Sequence, residues 1–357
     1  MKAARYYGPG NIRIEEIPEP VPKPGQVKIK VAWNGICGSD LHSYLTMLWV
    51  SPATEPNSIT KEKLPVTMGH EMSGTIVELG EGVDTNHFSV GQNVVVEPLI
   101  SCMNDYCASC LEGRRNVCPS MNFIGIAGWG GGLAEYITVD QELVHILPPR
   151  IPLEAGAMIE PLAVGWHAVN RSEFKAGNNV LVVGAGPIGL LLVKVLRARG
   201  ASWIGVSEPA AARCKLALAL GADDVFDPLT ADVSAEVRKV TGGSGADVVF
   251  ECSGIEAGLH TALNAVRARG NIVNISVWEK PPAFDVNLLM MREATFTATI
   301  GYESRVFPDL LRAVGEGKLD GIEALVTRKI ALEEVVEKGI KALLHEKDTQ
   351  IKILVHP

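Results

Sequence analysis

Positive charge is in short supply: 33 Lys and Arg are set against 41 Asp and Glu, for a formal net charge of -8. Nucleic-acid surfaces need clustered cations, so a nucleic-acid partner is not expected. Long apolar runs are also lacking. The most apolar stretch, 180–196, is interrupted by Gly184, Gly186, Pro187, Gly189 and Lys194, which argues against a bilayer-spanning helix and a membrane partner. Met1 to Tyr7 shows no charged-then-apolar signal of the secretory kind. Internal repeats and low-complexity tracts are missing too. Cysteine is sparse and odd in number, 7 in all, with four in one short window. That distribution suits metal ligation in a reducing compartment better than a disulfide framework, and a cytoplasmic location is expected.

What is present is enough for about two domains with sizeable cores: 357 residues, 47% of them apolar. Up to about Pro148, short β-rich runs at 26–33, 74–79, 93–97, 134–139 and 143–147 alternate with Gly/Pro turns, as in a partly closed barrel. Beyond Ala163 the rhythm becomes strand, helix, strand, which predicts an α/β fold with a parallel sheet wrapped by helices. Helices are expected over 187–199, 210–220, 233–241, 307–314 and 332–345, and a final strand over 351–355.

The run from Val180 to Gly189 reads as a buried strand entering a Gly-x-Gly-x-x-Gly turn and a helix. Gly184 permits the tight turn, Gly186 lets a pyrophosphate approach the backbone, and Gly189 lets helix and strand pack closely. Pro187 and Ile188 open the helix, whose N–H groups face the phosphates. Glu208 ends the next strand, where a carboxylate accepts hydrogen bonds from ribose hydroxyls and repels a 2′-phosphate. This points to NAD, although nearby Arg213 keeps NADP open, and an unliganded strand-end glutamate is the plain alternative.

Two clusters have metal chemistry. Cys37, Ser39 and His42 lie in one loop and His70 and Glu71 in another. Thiolate and imidazole suit Zn²⁺, and a hydroxyl and a second imidazole are the groups to carry a proton away from a metal-bound oxygen. Singly, each has an ordinary explanation as a buried thiol or core histidine. A third ligand must come from elsewhere; Glu160 is the candidate, since a carboxylate among apolar neighbours is costly unless it meets a cation. Glu71 reads as a supporting partner or an alternate ligand, or simply as a solvated carboxylate. Cys102, Cys107, Cys110 and Cys118, spaced C-x4-C-x2-C-x7-C, suit a closed, structural zinc site. Unliganded loop thiols are the alternative.

These motifs, in this order, resemble the zinc-dependent medium-chain alcohol dehydrogenase superfamily over nearly the whole chain, and within it the polyol branch. Residues 128–136, 275–280, 299–302 and 350–355 are most similar to the (R,R)-2,3-butanediol dehydrogenases. The resemblance implies a GroES-like catalytic domain over 1–160, a Rossmann domain over 161–298, and a segment, 299–357, returning to the first. It implies a cleft between them holding zinc and nicotinamide, with Cys37, His70 and Glu160 as zinc ligands and Ser276 beside the cofactor. It also implies zinc-assisted hydride transfer to NAD, with the hydroxyl proton leaving through Ser39 and His42. The substrate it implies is a secondary alcohol or vicinal diol, butanediol or its ketone acetoin, in a homodimer or homotetramer paired through the 295–300 strand. Trp278, Leu48 and Trp49 are candidate pocket walls, although an aromatic or leucine is more often core. One departure is Asn104, where relatives often carry the first lobe thiolate. The rival readings are a dehydrogenase of another polyol, amino alcohol or specialised ketone, and a nucleotide-binding protein without turnover.

Overall fold

Alternation along Gln26–Gly35 puts Val27, Ile29 and Val31 on one face, where they meet Met72, Ile76, Val94, Val96, Ile137 and Val139 in a buried cluster. The computed structural model, which describes residues 1–46 and 55–357, divides into two units. Leu48 and Trp49 lie outside the described residues. The first unit comprises residues 1–160, 303–317 and 326–357. In its main sheet Gln26–Gly35 pairs antiparallel with Glu71–Leu79 and with Tyr136–Asp140. Lys352–His356 pairs antiparallel with the end of Gln26–Gly35 and parallel with Val326–Ala331. A late segment is thereby woven into the sheet that presents residues 35–37 and 71.

The second unit, residues 161–302 and 318–325, is built on a six-stranded parallel sheet. Its order is Asp224–Phe226, Trp203–Ser207, Asn179–Val183, Ala246–Glu251, Val266–Asn274, Thr295–Ala298. Val180, Leu181, Val182 and Val183 are all buried, because a parallel sheet covered by helices on both faces has no solvent side. Strand order reverses beside Asn179–Val183, which makes its carboxyl end the binding crevice of this fold.

Local chemistry explains the helix ends. Pro187 occupies the first turn of Pro187–Ala198, where a missing N–H costs nothing. Asp232 accepts from Ala235 N at 3.0 Å and starts Val233–Val240. Two expectations need correction. Residues 332–345 do not form one α-helix: a 3₁₀ turn, a π-helical stretch over Val335–Ile340 and a short α-helix follow one another. Gly339 lies in the π-helical stretch, and a Cβ there would meet Ile36 Cδ1 at 2.6 Å, so this segment approaches its neighbours more closely than a regular helical side chain permits. Residues 318–325 belong to the second unit, since Ile322 and Leu325 are buried and their turn packs on the Pro187–Ala198 and Ala211–Leu220 helices. No helix among the described residues is long and apolar enough to cross a membrane.

Candidate metal and dinucleotide sites

Cys37 precedes the Gly38–Leu45 helix, and its N–H donates to Asp40 Oδ2 at 2.9 Å. Ser39 and His42, three residues apart, share one face of the helix. Gly69, at φ +98°, is locked by close neighbours: a Cβ would meet Leu133 N at 2.6 Å and the Asn34 amide at 2.9 Å. Only glycine turns the chain there, and the turn delivers His70 and Glu71 inward, both buried. The Ser39 hydroxyl lies 3.1 Å from His70 Nε2.

Ligand atoms of Cys37, His70 and Glu71 all lie within 4.8 Å of one another. Glu160 is not in this tight set. It starts the Ile159–Arg171 helix, an element the sequence reading passed over, and it is buried, with its charge felt by His70 and Lys352. The geometry thus brings Glu71 beside Cys37 and His70, with Glu160 a buried carboxylate close by. Lys352 was not foreseen at all. It is buried, donates to Ile36 O at 3.0 Å and forms an ion pair with Glu71 Oε2. Gly35 makes room for this pair, since a Cβ there would collide with the Glu71 carboxylate. Residues 350–355 are buried without a break, yet a lysine within an otherwise apolar strand reads from the sequence like one that faces solvent, so no local signal marks a buried cation.

The donor chemistry fits a divalent ion. Among the described residues, His70 Nδ1 and Glu71 Oε1 are buried without hydrogen-bond partners, an arrangement costly in a site built for protein contacts alone. Burial by itself pushes the His70 imidazole down, but the charges of Asp40 and Cys37 outweigh it and push the group up to about 10. Burial, likewise the largest influence, raises the Asp40 carboxyl. Such a cluster is short of positive charge, and a metal ion supplies it.

The four lobe cysteines also converge within 4.8 Å. Cys118 is 3.5 Å from Cys102 and 3.9 Å from Cys107, and Cys102 is 3.8 Å from Cys110, all sulfur to sulfur. The longer first gap is absorbed in the loop, with Asn104 turned to the Tyr106 hydroxyl at 2.9 Å. Burial raises the Cys110 thiol, yet bonds from Ser101 and Met103 N reverse this and take it down to about 7. For Cys102 a bond from Asn104 lowers the thiol, but burial and the three neighbouring sulfurs push it up to about 12. Tyr106, Leu111 and Val117 are exposed, so this lobe has little core of its own and gains most from a tetrahedral clamp.

In the second unit Gly184, at φ +95°, makes the turn, and a Cβ on Gly189 would strike Gly184 O. Gly186 faces open space, which is where a pyrophosphate approaches. Pro187 and Ile188 begin the helix beside it. Glu208 is buried, accepting from Ala185 N at 2.8 Å on one oxygen and from Ala210 N at 3.0 Å on the other. Each oxygen keeps a second lone pair for a ribose hydroxyl. Arg213 forms no pair with Glu208, and its buried Nε has no partner. The Ser276 hydroxyl is engaged by Glu251 Oε2 at 2.7 Å. Trp278 packs on the second unit's core, its indole N–H on Asn274 Oδ1 at 2.9 Å, so the structure gives it a packing role.

Comparison with known proteins agrees with this geometry. Residues 23–149 match the alcohol dehydrogenase GroES-like domain, and residues 187–316 match the zinc-binding dehydrogenase domain. The chain is 44% identical to an (R,R)-butanediol dehydrogenase of Bacillus subtilis strain 168, covering 100% of both chains. It is also 44% identical to one from Neisseria gonorrhoeae, over 100% of this chain and 99% of that one. The crystal structure of 2R,3R-butanediol dehydrogenase from Bacillus subtilis superposes with a TM-score of 0.92 at 43% identity, covering 100% of this chain and 99% of that one. The chain therefore belongs to the zinc-dependent alcohol dehydrogenase family, oxidoreductases that move a hydride between an alcohol and a nicotinamide dinucleotide.

Proposed function

We propose that this protein interconverts 2,3-butanediol and acetoin with NAD. The full-length identity of 44% to enzymes of that name carries the reading, supported by the Cys37, His70 and Glu71 donor set. Those residues, with Glu160 close by, would hold the catalytic zinc, and Cys102, Cys107, Cys110 and Cys118 a structural one. Bound zinc supplies Lewis acidity that lowers the hydroxyl pKa of an alcohol, and NAD supplies the hydride acceptor. Ser39 takes the proton released by the substrate hydroxyl, and His42, one turn along the same helix face, passes it to solvent. In the reducing direction the same groups return a proton to the ketone oxygen. Glu71, kept in place by Lys352, orients the donor set. Glu208 supports NAD over NADP by setting a buried carboxylate against a 2′-phosphate.

Two copies would pair through the Thr295–Ala298 strand, which ends the parallel sheet and carries the exposed Phe296 near Phe284. Seven free cysteines support residence in the reducing cytoplasm. The test follows NADH absorbance with (R,R)-, (S,S)- and meso-butanediol, acetoin, sorbitol and threonine, before and after chelation. Turnover of butanediol and acetoin, lost on chelation, is expected. Turnover of sorbitol or threonine alone would overturn the substrate, and inertness toward every alcohol and ketone would favour a binding protein. Sedimentation gives the oligomeric state.

A further inference from the structure

Beyond Asn179–Val183, at the carboxyl end of the Ala246–Glu251 strand, lies a carboxylate with no counter-ion among the described residues. Glu251 is 0% exposed. Its Oε1 accepts from Ser253 N at 2.8 Å, from Gly254 N at 3.1 Å and from the Ser253 hydroxyl. Its Oε2 accepts from the Ser276 hydroxyl at 2.7 Å and from Gly254 N at 3.3 Å. Every partner is a neutral donor. None of these bonds brings a positive charge to the carboxylate. The field is felt next door: burial first, and then the Glu251 charge, hold the Cys252 thiol well above its ordinary range.

The position of this charge matters. Glu251 stands in register with Val183, the last residue before the glycine turn. A Cβ on Gly184 would lie 3.0 Å from Ser253 Cα, so the loop held by Glu251 packs directly on that turn. In the sheet order Glu208 follows the strand on one side of Asn179–Val183 and Glu251 ends the strand on the other. A dinucleotide with its pyrophosphate on the turn and its adenosine ribose at Glu208 would turn its other half toward residues 251–254 and 274–276. That half carries the nicotinamide, a cation when oxidised and neutral when reduced.

We propose that Glu251 is a positioning residue whose uncompensated charge, held beneath the nicotinamide end by Ser253, Gly254 and Ser276, favours the oxidised cofactor over the reduced one. The inference rests on the NAD reading above. It makes the carboxylate a determinant of how the protein divides its affinity between NAD⁺ and NADH, separate from the tightness of either.

The experiment titrates NAD⁺ and NADH separately into the zinc-loaded protein by calorimetry, with no alcohol present, for the unaltered chain, Glu251→Gln and Glu251→Asp. Glu251→Gln removes the charge in nearly the same shape and should raise the ratio Kd(NAD⁺)/Kd(NADH) about ten-fold. Glu251→Asp keeps the charge and should hold the ratio within about two-fold while weakening both forms, because a shorter arm loses bonds. If Glu251→Gln does not fold, Ser276→Lys, which sets a cation against Oε2, should move the ratio in the same direction. An unmoved ratio in the charge-neutralising variants, or an equal shift in Glu251→Asp, overturns the proposal. Failure of the unaltered protein to bind either cofactor form would instead refute the NAD reading itself.

Discussion

Replacing Lys352 by Met removes a buried ammonium and strands its partner. The Lys352 and Glu71 side chains are each 1% exposed, so neither charge has water to fall back on. Breaking such a pair from one side costs about 3–5 kcal/mol, and the lost bond to Ile36 O adds about 1 kcal/mol. The assay is urea unfolding of metal-free protein, followed through tryptophan fluorescence, to which Trp33 in the same sheet contributes. A double-mutant cycle with Glu71→Gln separates the coupling from lost packing: the double variant should be more stable than Lys352→Met alone. Zinc loading should reduce the defect, because the metal replaces the missing positive charge. The pH profile has a definite sign. Burial works to lower the ammonium pKa, but the charges of Glu71 and Cys37 raise it overall. Its stabilisation is therefore complete below the unfolded value of about 10.4 and is lost only as pH climbs through the higher folded value. The defect should thus be flat between about pH 6 and 9. A loss below about 1 kcal/mol, the worth of one exposed pair, or a double variant no better than the single, would refute the argument.

Other outcomes follow from the same geometry. Cys37→Ser should lose catalytic zinc and turnover while keeping NAD affinity, checked by metal analysis and cofactor titration; full activity would remove Cys37 from the ligand set. Cys118→Ser should lower the zinc content by one ion per chain and increase proteolysis within 102–118, with NAD binding intact, because that lobe has few buried side chains to fall back on. Glu208→Ala should weaken NAD about ten-fold by fluorescence titration, reflecting both lost ribose bonds and a loosened Ala185 N–H; unchanged affinity would end its ribose role.

The α/β class and the glycine turn were legible because their signals are local: four consecutive buried apolar residues, then three glycines at fixed spacing. Cys37, His70 and the four lobe thiols were legible because ligand chemistry is written in residue type. The pairing of Glu71 with a buried cation was not, since it depends on Lys352 arriving beside Gly35 from a strand far away in sequence. Trp278 shows the same limit: residue type left it between pocket wall and core, and only the fold brings its indole N–H onto Asn274 and its ring onto the second unit's core. The 332–345 segment had helical composition throughout, and its close approach at Gly339, which falls in the π-helical stretch, depends on packing that composition does not show.

The partnership of Lys352 and Glu71 spans 281 positions in the chain. Contacts of such separation form late in folding, after the entropy of closing a long loop has been met. During synthesis Cys37 and His70 emerge well before the cation that steadies their neighbour, so an early-captured ion sits in a half-built cage. Metal exchange should be rapid in nascent or truncated chains and slow once the last strand has docked, making that strand a timer for metal retention.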